Sequence, residues 1–418
     1  ALRKAFFDFT VGNTTHRPPH FHALGRRAVI KALWDVDRML AESSEAFDFL
    51  LQVTPVNGEQ AWHEFERKGY QRVPSFHYRP LPAEPLVLKR NLYRAPVERI
   101  EDPALAMIFR EKLDNIERQI TMLQDRNTRR FLHESIQQYG GVEDELYELA
   151  NEILRAIPPK SRDGAASGTV KAEQFAERAR QEIEYLRRQL PEIGATVELR
   201  SDTTGLMVSR GNLLVSTRSR IPISRVEALI QHEVGTHVLT YYNGKAQKLR
   251  HLYTGFAGYD ALQEGLAVLS EYLVGGLSKP RLRLLAARVV AARAMIDGAT
   301  FIECFRELDG RYGFNRRIAF VITMRTYRGG GLTKDAVYLR GLGQILDYLS
   351  SGGRLEPLFI GKIAVNHIPI VRELRWRGVL REPPLTPRYM NEPEALQRLQ
   401  YLQGGVSVID LLKRSKRR

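Results

Sequence analysis

Apolar residues recur at three- and four-residue spacing from about Leu24 to Leu51 (Ala28, Val29, Leu33, Val36, Met39, Leu40), the pattern of an amphipathic helix. From there to about Tyr93 the chain is rich in Pro, Gly and aromatic residues and reads as short strands and loops. Helical periodicity returns from Pro103 to about Arg129 and from Val142 to Ile157. It stops at the breaker run PPKSRDGAASG, the best linker candidate. That run divides the chain into an N-terminal helical and short-strand region, 1–160, packing on a second region, 168–418. A helix from Lys171 to Leu190 then precedes GATVELRSDTTGLMVSRGNLLVSTRS, whose alternating Val, Leu and Met positions broken by Gly predict two or three strands. From Ser224 onward the pattern is almost continuously helical, with gaps at NGK, GLSKP, GRYGF and RGGG. The expected fold is α+β, predominantly helical, with a small sheet next to the helix that Ser224 would cap.

Composition narrows the function classes. The 418 residues are 43% hydrophobic and 27% charged, ordinary values for a globular protein, and no apolar run approaches the roughly 18 residues of a membrane span. The first twenty residues have no apolar core followed by a cleavage site, so they do not read as a signal peptide. The lone cysteine, Cys304, excludes an internal disulfide and zinc sites built on paired cysteines, and it fits a cytoplasmic protein. Within FIECFREL it has the spacing of a packing residue. The formal net charge of +15 favours acidic partners. Its basic residues are scattered, ending in a solvated tail LLKRSKRR, and no nucleic-acid-reading motif accompanies them.

The chemistry concentrates in SRVEALIQHEVGTHVLTYY, where Val226, Leu229 and Ile230 lead on a buried helix into His232, Glu233 and His237. Two imidazoles that bind a metal, with a glutamate beside the first to deprotonate water, are what metal-assisted hydrolysis requires. The histidines are five apart, however, about 140° around a helix, where a spacing of four gives about 40°. A π-bulge between Glu233 and His237, eased by Gly235, would restore a shared face. A third ligand is available in YDALQEGLAVLSEYLVGG, a returning helix on which Glu264, Ala267, Val268 and Glu271 share a face. Gly265 would allow this helix to approach the first. Glu271 reads equally as an acceptor for a histidine N–H or as a surface ion-pair residue.

HEVGTH followed by QEGLAVLSEY resembles the family named for its QEGLA motif, which includes the microtubule-associated tyrosine carboxypeptidases. The likeness continues through MRTYRGGGLTKDAVYLRG and spans the chain from about Ala23 to Val379. It implies a zinc peptidase with one Zn2+ per chain, ligands His232, His237 and Glu264, and Glu233 as general base. The resemblance leaves the substrate open; the expected one is the C-terminal tail of a protein or peptide, with the basic surface drawing acidic chains.

In MRTYRGGGLTKDAVYLRG, Arg325, Tyr327, Arg328, Lys334 and Tyr338 surround three glycines. An arginine fork matches a terminal carboxylate, so Arg325 or Arg328 is the candidate receptor, with Lys334 beside them. Tyr338, or alternatively Tyr327, is the candidate donor to a developing oxyanion. A solvated turn between helices is the competing reading of the same segment. Of the remaining histidines, His16, His20 and His22 in HRPPHFH read as loop residues, and His251 could reach a cleft. The expected function is a zinc metallopeptidase of carboxypeptidase type. The alternatives are a metal-stabilised scaffold and a basic nucleic-acid-associated protein.

Overall fold

A computed structural model describes residues 31–159 and 168–411. The HRPPHFH segment, the predicted helix before Lys31, most of the predicted linker and nearly all of the basic tail lie outside the described residues.

Helix α1 (Lys31–Glu45) buries Leu33, Val36 and Leu40. It ends six residues short of the predicted Leu51, because Asp48 starts a new helix, α2 (Phe49–Val53), by accepting from the Leu51 amide. The strands expected up to Tyr93 do not form. The segment instead folds into α3 (Gly58–Arg67) and α4 (Pro85–Leu92). Ala61, Trp62 and Phe65 share one side of α3, and Phe65 packs edge-on to Phe305 at 4.9 Å while Trp62 meets Phe320 at 5.3 Å. Pro85, within the stretch expected to form strands and loops, occupies the first turn of α4, where its missing N–H costs nothing. Helices α5 (Pro103–Gln124), α6 (Arg130–Tyr139) and α7 (Asp144–Ala156) follow, the first capped by Asp102.

Strand β1 (Thr169–Lys171) precedes α8 (Ala172–Gln189) and pairs antiparallel with β5 (Arg220–Pro222). The main sheet has the order β2 (Val197–Arg200), β4 (Asn212–Ser216), β3 (Leu206–Ser209), with β2 parallel and β3 antiparallel to β4. Its central strand buries Leu213 and Val215, and β3 is an edge.

The second half is helical: α9 (Val226–His232), α10 (Leu239–Lys245), α11 (His251–Thr254), α12 (Tyr259–Leu273), α13 (Lys279–Ile296), α14 (Phe301–Arg306), α15 (Arg316–Tyr327), α16 (Val337–Ser350), α17 (Ile368–Trp376) and α18 (Pro393–Gln403). From Leu262 to Leu273 every residue of α12 is buried, which makes it the central helix. It crosses α16 with backbones in contact: a Cβ on Gly265 would lie 2.4 Å from the carbonyl carbon of Gly341. Gly265 thus serves the α12–α16 contact rather than the expected approach to α9. One hydrophobic core runs from Leu33 to Leu411. The architecture is α+β and mostly helical. Among the described residues no helix is long and apolar enough to cross a membrane.

Candidate metal centre

The predicted distortion is present: α9 passes directly into a π-helical segment, Glu233–Val238, and then into α10. One extra residue in the turn brings His232 and His237 to a common face, with ring centroids 5.2 Å apart. Backbone acceptors loosened by the wide turn are taken up locally. The Thr236 hydroxyl donates to the Gln231 carbonyl (3.0 Å), and that of Thr240 to the Thr236 carbonyl (2.7 Å). A Cβ at Gly235 would sit 2.2 Å from Oε1 of Gln231, whose amide nitrogen donates to Glu182 and Glu227. Ser224 lies in a short 3-10 turn, Ile223–Arg225, and does not cap the helix.

Helix α12 brings Glu264 opposite the pair. Its Oε2 lies 3.5 Å from Nε2 of His237 and 4.0 Å from Nε2 of His232, and one ligand atom from each of the three residues falls within 4.8 Å of the others. That oxygen is buried and has no hydrogen-bond partner. A buried carboxylate oxygen without a donor, facing two imidazole nitrogens, fits a divalent metal in this position.

The outer side of each histidine is held. Glu271, fully buried, accepts from His232 Nδ1 at 2.8 Å, which leaves Nε2 as the lone-pair nitrogen aimed at Glu264. Arg225 (2.5 Å) and Arg281 (3.0 Å) pair with the same carboxylate. Burial alone would raise the Glu271 carboxyl, but Arg281, His232 and Arg225 hold it well below the usual carboxylate range. Glu271 is thus the histidine acceptor and not a surface residue. His237 Nδ1 faces Oε1 of Gln263 at 3.5 Å, and Gln263 is itself fixed by the Thr240 hydroxyl. Burial opposes charging His237, yet Glu264 and Glu233 leave its pKa raised.

The glycine turn between α15 and α16 carries the facing wall. Gly329, Gly330 and Gly331 all have positive φ, and side chains there would strike Phe131, Thr128 and Met295. Lys334 lies buried with its ammonium 2.8 Å from Glu264 Oε1 and 3.2 Å from Asp260. Desolvation would lower its pKa, but these two carboxylates raise it well above the ordinary lysine value. Arg325 is forked onto Asp335 (2.6 and 2.7 Å), and Arg328 donates to the Thr54 hydroxyl at 3.1 Å. Both line the inner pocket. Tyr338 stacks on His232 (centroids 6.4 Å apart, planes 14° apart), and burial, with Glu264, pushes its phenol up to about 12, so it keeps its proton. Tyr327 lies elsewhere: its hydroxyl donates to the Ala299 carbonyl and its ring packs on Phe301, which removes it as a donor or substrate contact.

Two cavities meet here. An inner pocket of about 120 Å³ is lined by His232, His237, Glu264, Lys334 and Tyr338. An outer cleft of about 470 Å³ shares His232, Glu233, Arg325 and Tyr338 with it and adds Arg218, Arg220, Arg281, Arg288 and Arg317. Glu233 faces both. A separate cavity of about 880 Å³, lined in part by Asp114, Gln138 and Asp347, contains none of these residues.

The model of the family "microtubule-associated tyrosine carboxypeptidase" matches residues 63–406. The chain belongs to this family. No curated protein matches the chain. A solved structure, a putative lipoprotein of unknown function from Shewanella oneidensis, is 14% identical over 88% of this chain and 81% of its own, with a TM-score of 0.37. Across the family segment the residues that surround His232, His237 and Glu264 include several that the motifs did not point to. Asp260, Gln263 and Asp335 adjoin residues that were singled out, whereas Lys362 and strand β3 sit in stretches with no motif of their own. His251 does not reach the cleft: its Nδ1 bonds Asp37 at 2.7 Å and its ring packs on Phe109. Cys304 is buried and its thiol is pushed by burial up to about 12, so it is a packing residue.

Proposed function

We propose that the chain is a zinc-dependent carboxypeptidase acting on the C-terminal tails of proteins or peptides, with a zinc-peptidase active site between α9 and α12. The observation that carries this reading is the convergence of His232, His237 and Glu264 around the unpartnered Oε2, beside an acid and a phenol. Zinc bound by these three side chains supplies the positive charge that acidifies water and polarises a carbonyl. Glu233, buried at the junction of both cavities, takes the proton from the attacking water and passes it to the leaving amine. The neutral Tyr338 phenol donates to the oxygen that gains charge as the carbonyl is attacked. The peptide bond breaks as water adds across it, giving a shortened chain and a free terminal residue.

The shapes of the cavities support an end-trimming enzyme. The roomier cleft, rich in arginine, suits the chain that precedes the scissile bond and favours an acidic one, while the small inner pocket suits a short end. The test is elemental analysis of the purified chain with His237→Ala and Glu264→Ala alongside. The reading expects about one zinc per wild-type chain and loss of both zinc and peptide hydrolysis in the variants; activity that survives metal removal overturns it.

A further inference from the structure

Behind the inner pocket lies a second chamber of about 150 Å³, and the two share Leu50, Val208, Tyr259, Asp260 and Lys362 as walls. The chamber is lined with rings, among them Phe49, Tyr139, Tyr241 and Tyr253. It also contains two ammonium groups that the mechanism above does not use. Lys112, on α5, is 2% exposed, and its Nζ has one long hydrogen bond, 3.4 Å to the hydroxyl of Ser44, another chamber residue. Lys362, half-buried at the shared wall, lies over the rings of Tyr241 (5.4 Å) and Tyr259 (5.6 Å). Neither forms an ion pair with a carboxylate among the described residues. Of the three acids that line the chamber, Asp260 is paired with Lys334, Asp48 accepts from the Leu51 amide and the Ser209 hydroxyl, and Glu45 stands exposed at the rim.

An ammonium sealed from water without a counter-charge is costly, and proteins keep such groups where a ligand supplies the missing charge. Burial pulls Lys112 down to about 7, only partly offset by Asp260, and burial also lowers Lys362. Of the arginines first considered for a terminal carboxylate, Arg325 is already forked onto Asp335, while Arg328 donates to the Thr54 hydroxyl and lines the inner pocket but not this chamber. We infer that this chamber receives the terminal residue of the substrate and selects an acidic one, its α-carboxylate meeting Lys362 and its side-chain carboxylate meeting Lys112. The ring-lined walls keep water from Lys112, which strengthens its pair in particular. The inference rests on the carboxypeptidase reading and goes further by naming the residue removed.

The test uses the zinc-loaded full chain and peptides identical except at the last residue: Glu, Ala, Tyr, and Glu as its C-terminal amide. Release of the last residue is followed by mass spectrometry. Binding of the same peptides to Glu233→Gln is read by fluorescence anisotropy. The expected result is kcat/KM for the Glu-ending acid about tenfold or more above the Ala- and Tyr-ending ones, because a charge-assisted bond is worth about that factor. Lys112→Met brings the Glu/Ala ratio toward one, and Lys362→Met weakens every free acid until it binds no better than the amide. Removing a buried unpaired charge does not unfold the chain, so the melting temperature of Lys112→Met stays at or above that of the parent. Preference for Ala or Tyr, or a Glu/Ala ratio untouched by Lys112→Met, overturns the assignment. If no peptide is cleaved in a Glu233-dependent way, the carboxypeptidase reading fails. Anisotropy then decides the chamber: tight binding of the Glu-ending acid that is lost with Lys112→Met upholds it as an acidic-terminus site, and no discrimination rejects it.

Discussion

Glu271 is the residue on which the orientation of His232 depends, and replacing it by glutamine isolates that dependence. Glutamine keeps the size of the side chain but removes the charge that balances Arg225 and Arg281, which are 14% and 12% exposed against 0% for Glu271. Breaking a buried ion pair by neutralising one partner costs about 3–5 kcal/mol. With an unfolding entropy of about 2.1 cal/mol/K per residue, 418 residues give roughly 0.9 kcal/mol/K, so the melting temperature falls by roughly 3–6 °C. The carboxyl is depressed in the folded state, so its contribution is complete above the ordinary carboxylate pKa of about 4.3 and is lost only as pH falls toward the lower folded value. The gap between parent and variant is therefore constant from pH 8 to about pH 5 and narrows in acid. A single neutral amide oxygen must then serve Arg225, Arg281 and His232 Nδ1–H together, so the tautomer of His232 is held less firmly, which lowers zinc affinity about 10- to 100-fold. Differential scanning calorimetry of the metal-free protein across pH, with chelator competition for zinc, measures both. A variant within 1 °C of the parent that binds zinc equally well would refute the reasoning.

Three further outcomes follow from the same geometry. Gly265→Ala forces α12 and α16 apart, since the new methyl would lie 2.4–2.9 Å from the backbone of Gly341; it costs about 1–3 kcal/mol or more in calorimetry and lowers activity by shifting Glu264 against Tyr338. Tyr338→Phe keeps the ring stack on His232 and the zinc content but lowers kcat about 10²- to 10³-fold, as loss of an oxyanion donor does. Tyr327→Phe, which removes only a hydroxyl bonded to the Ala299 carbonyl, leaves kcat/KM within about twofold in the same assay.

The clustering of His232, His237 and Glu264 was legible in the sequence because each part obeys a local rule. Five-residue spacing of His232 and His237 is incompatible with convergence on an α-helix, so the pattern itself demanded the wide turn found at Glu233–Val238. Glu264 and Glu271 are seven apart on one helix and so face the same way. What escaped was set by distant contacts. The aromatic residues of α3 looked like strand and loop because their helix-stabilising partners, Phe305 and Phe320, lie far along the chain. Gly265 announced a close approach but not which helix would make it. Tyr327 and Tyr338 stand in one motif, and only the turn of the three glycines decides that one enters the site and the other leaves it. Lys112 and Lys362 carried no signal, since an ammonium without a counter-charge is recognisable only when its surroundings are known.

The most direct test of the central claim is mass spectrometry of a peptide library incubated with the zinc-loaded chain and with Glu233→Gln, with zinc measured in both. The parent is expected to remove C-terminal residues stepwise and the variant none, with equal zinc in the two. A Glu233→Gln protein that trims peptides as fast as the parent, or a parent that trims none while holding its zinc, would contradict that claim.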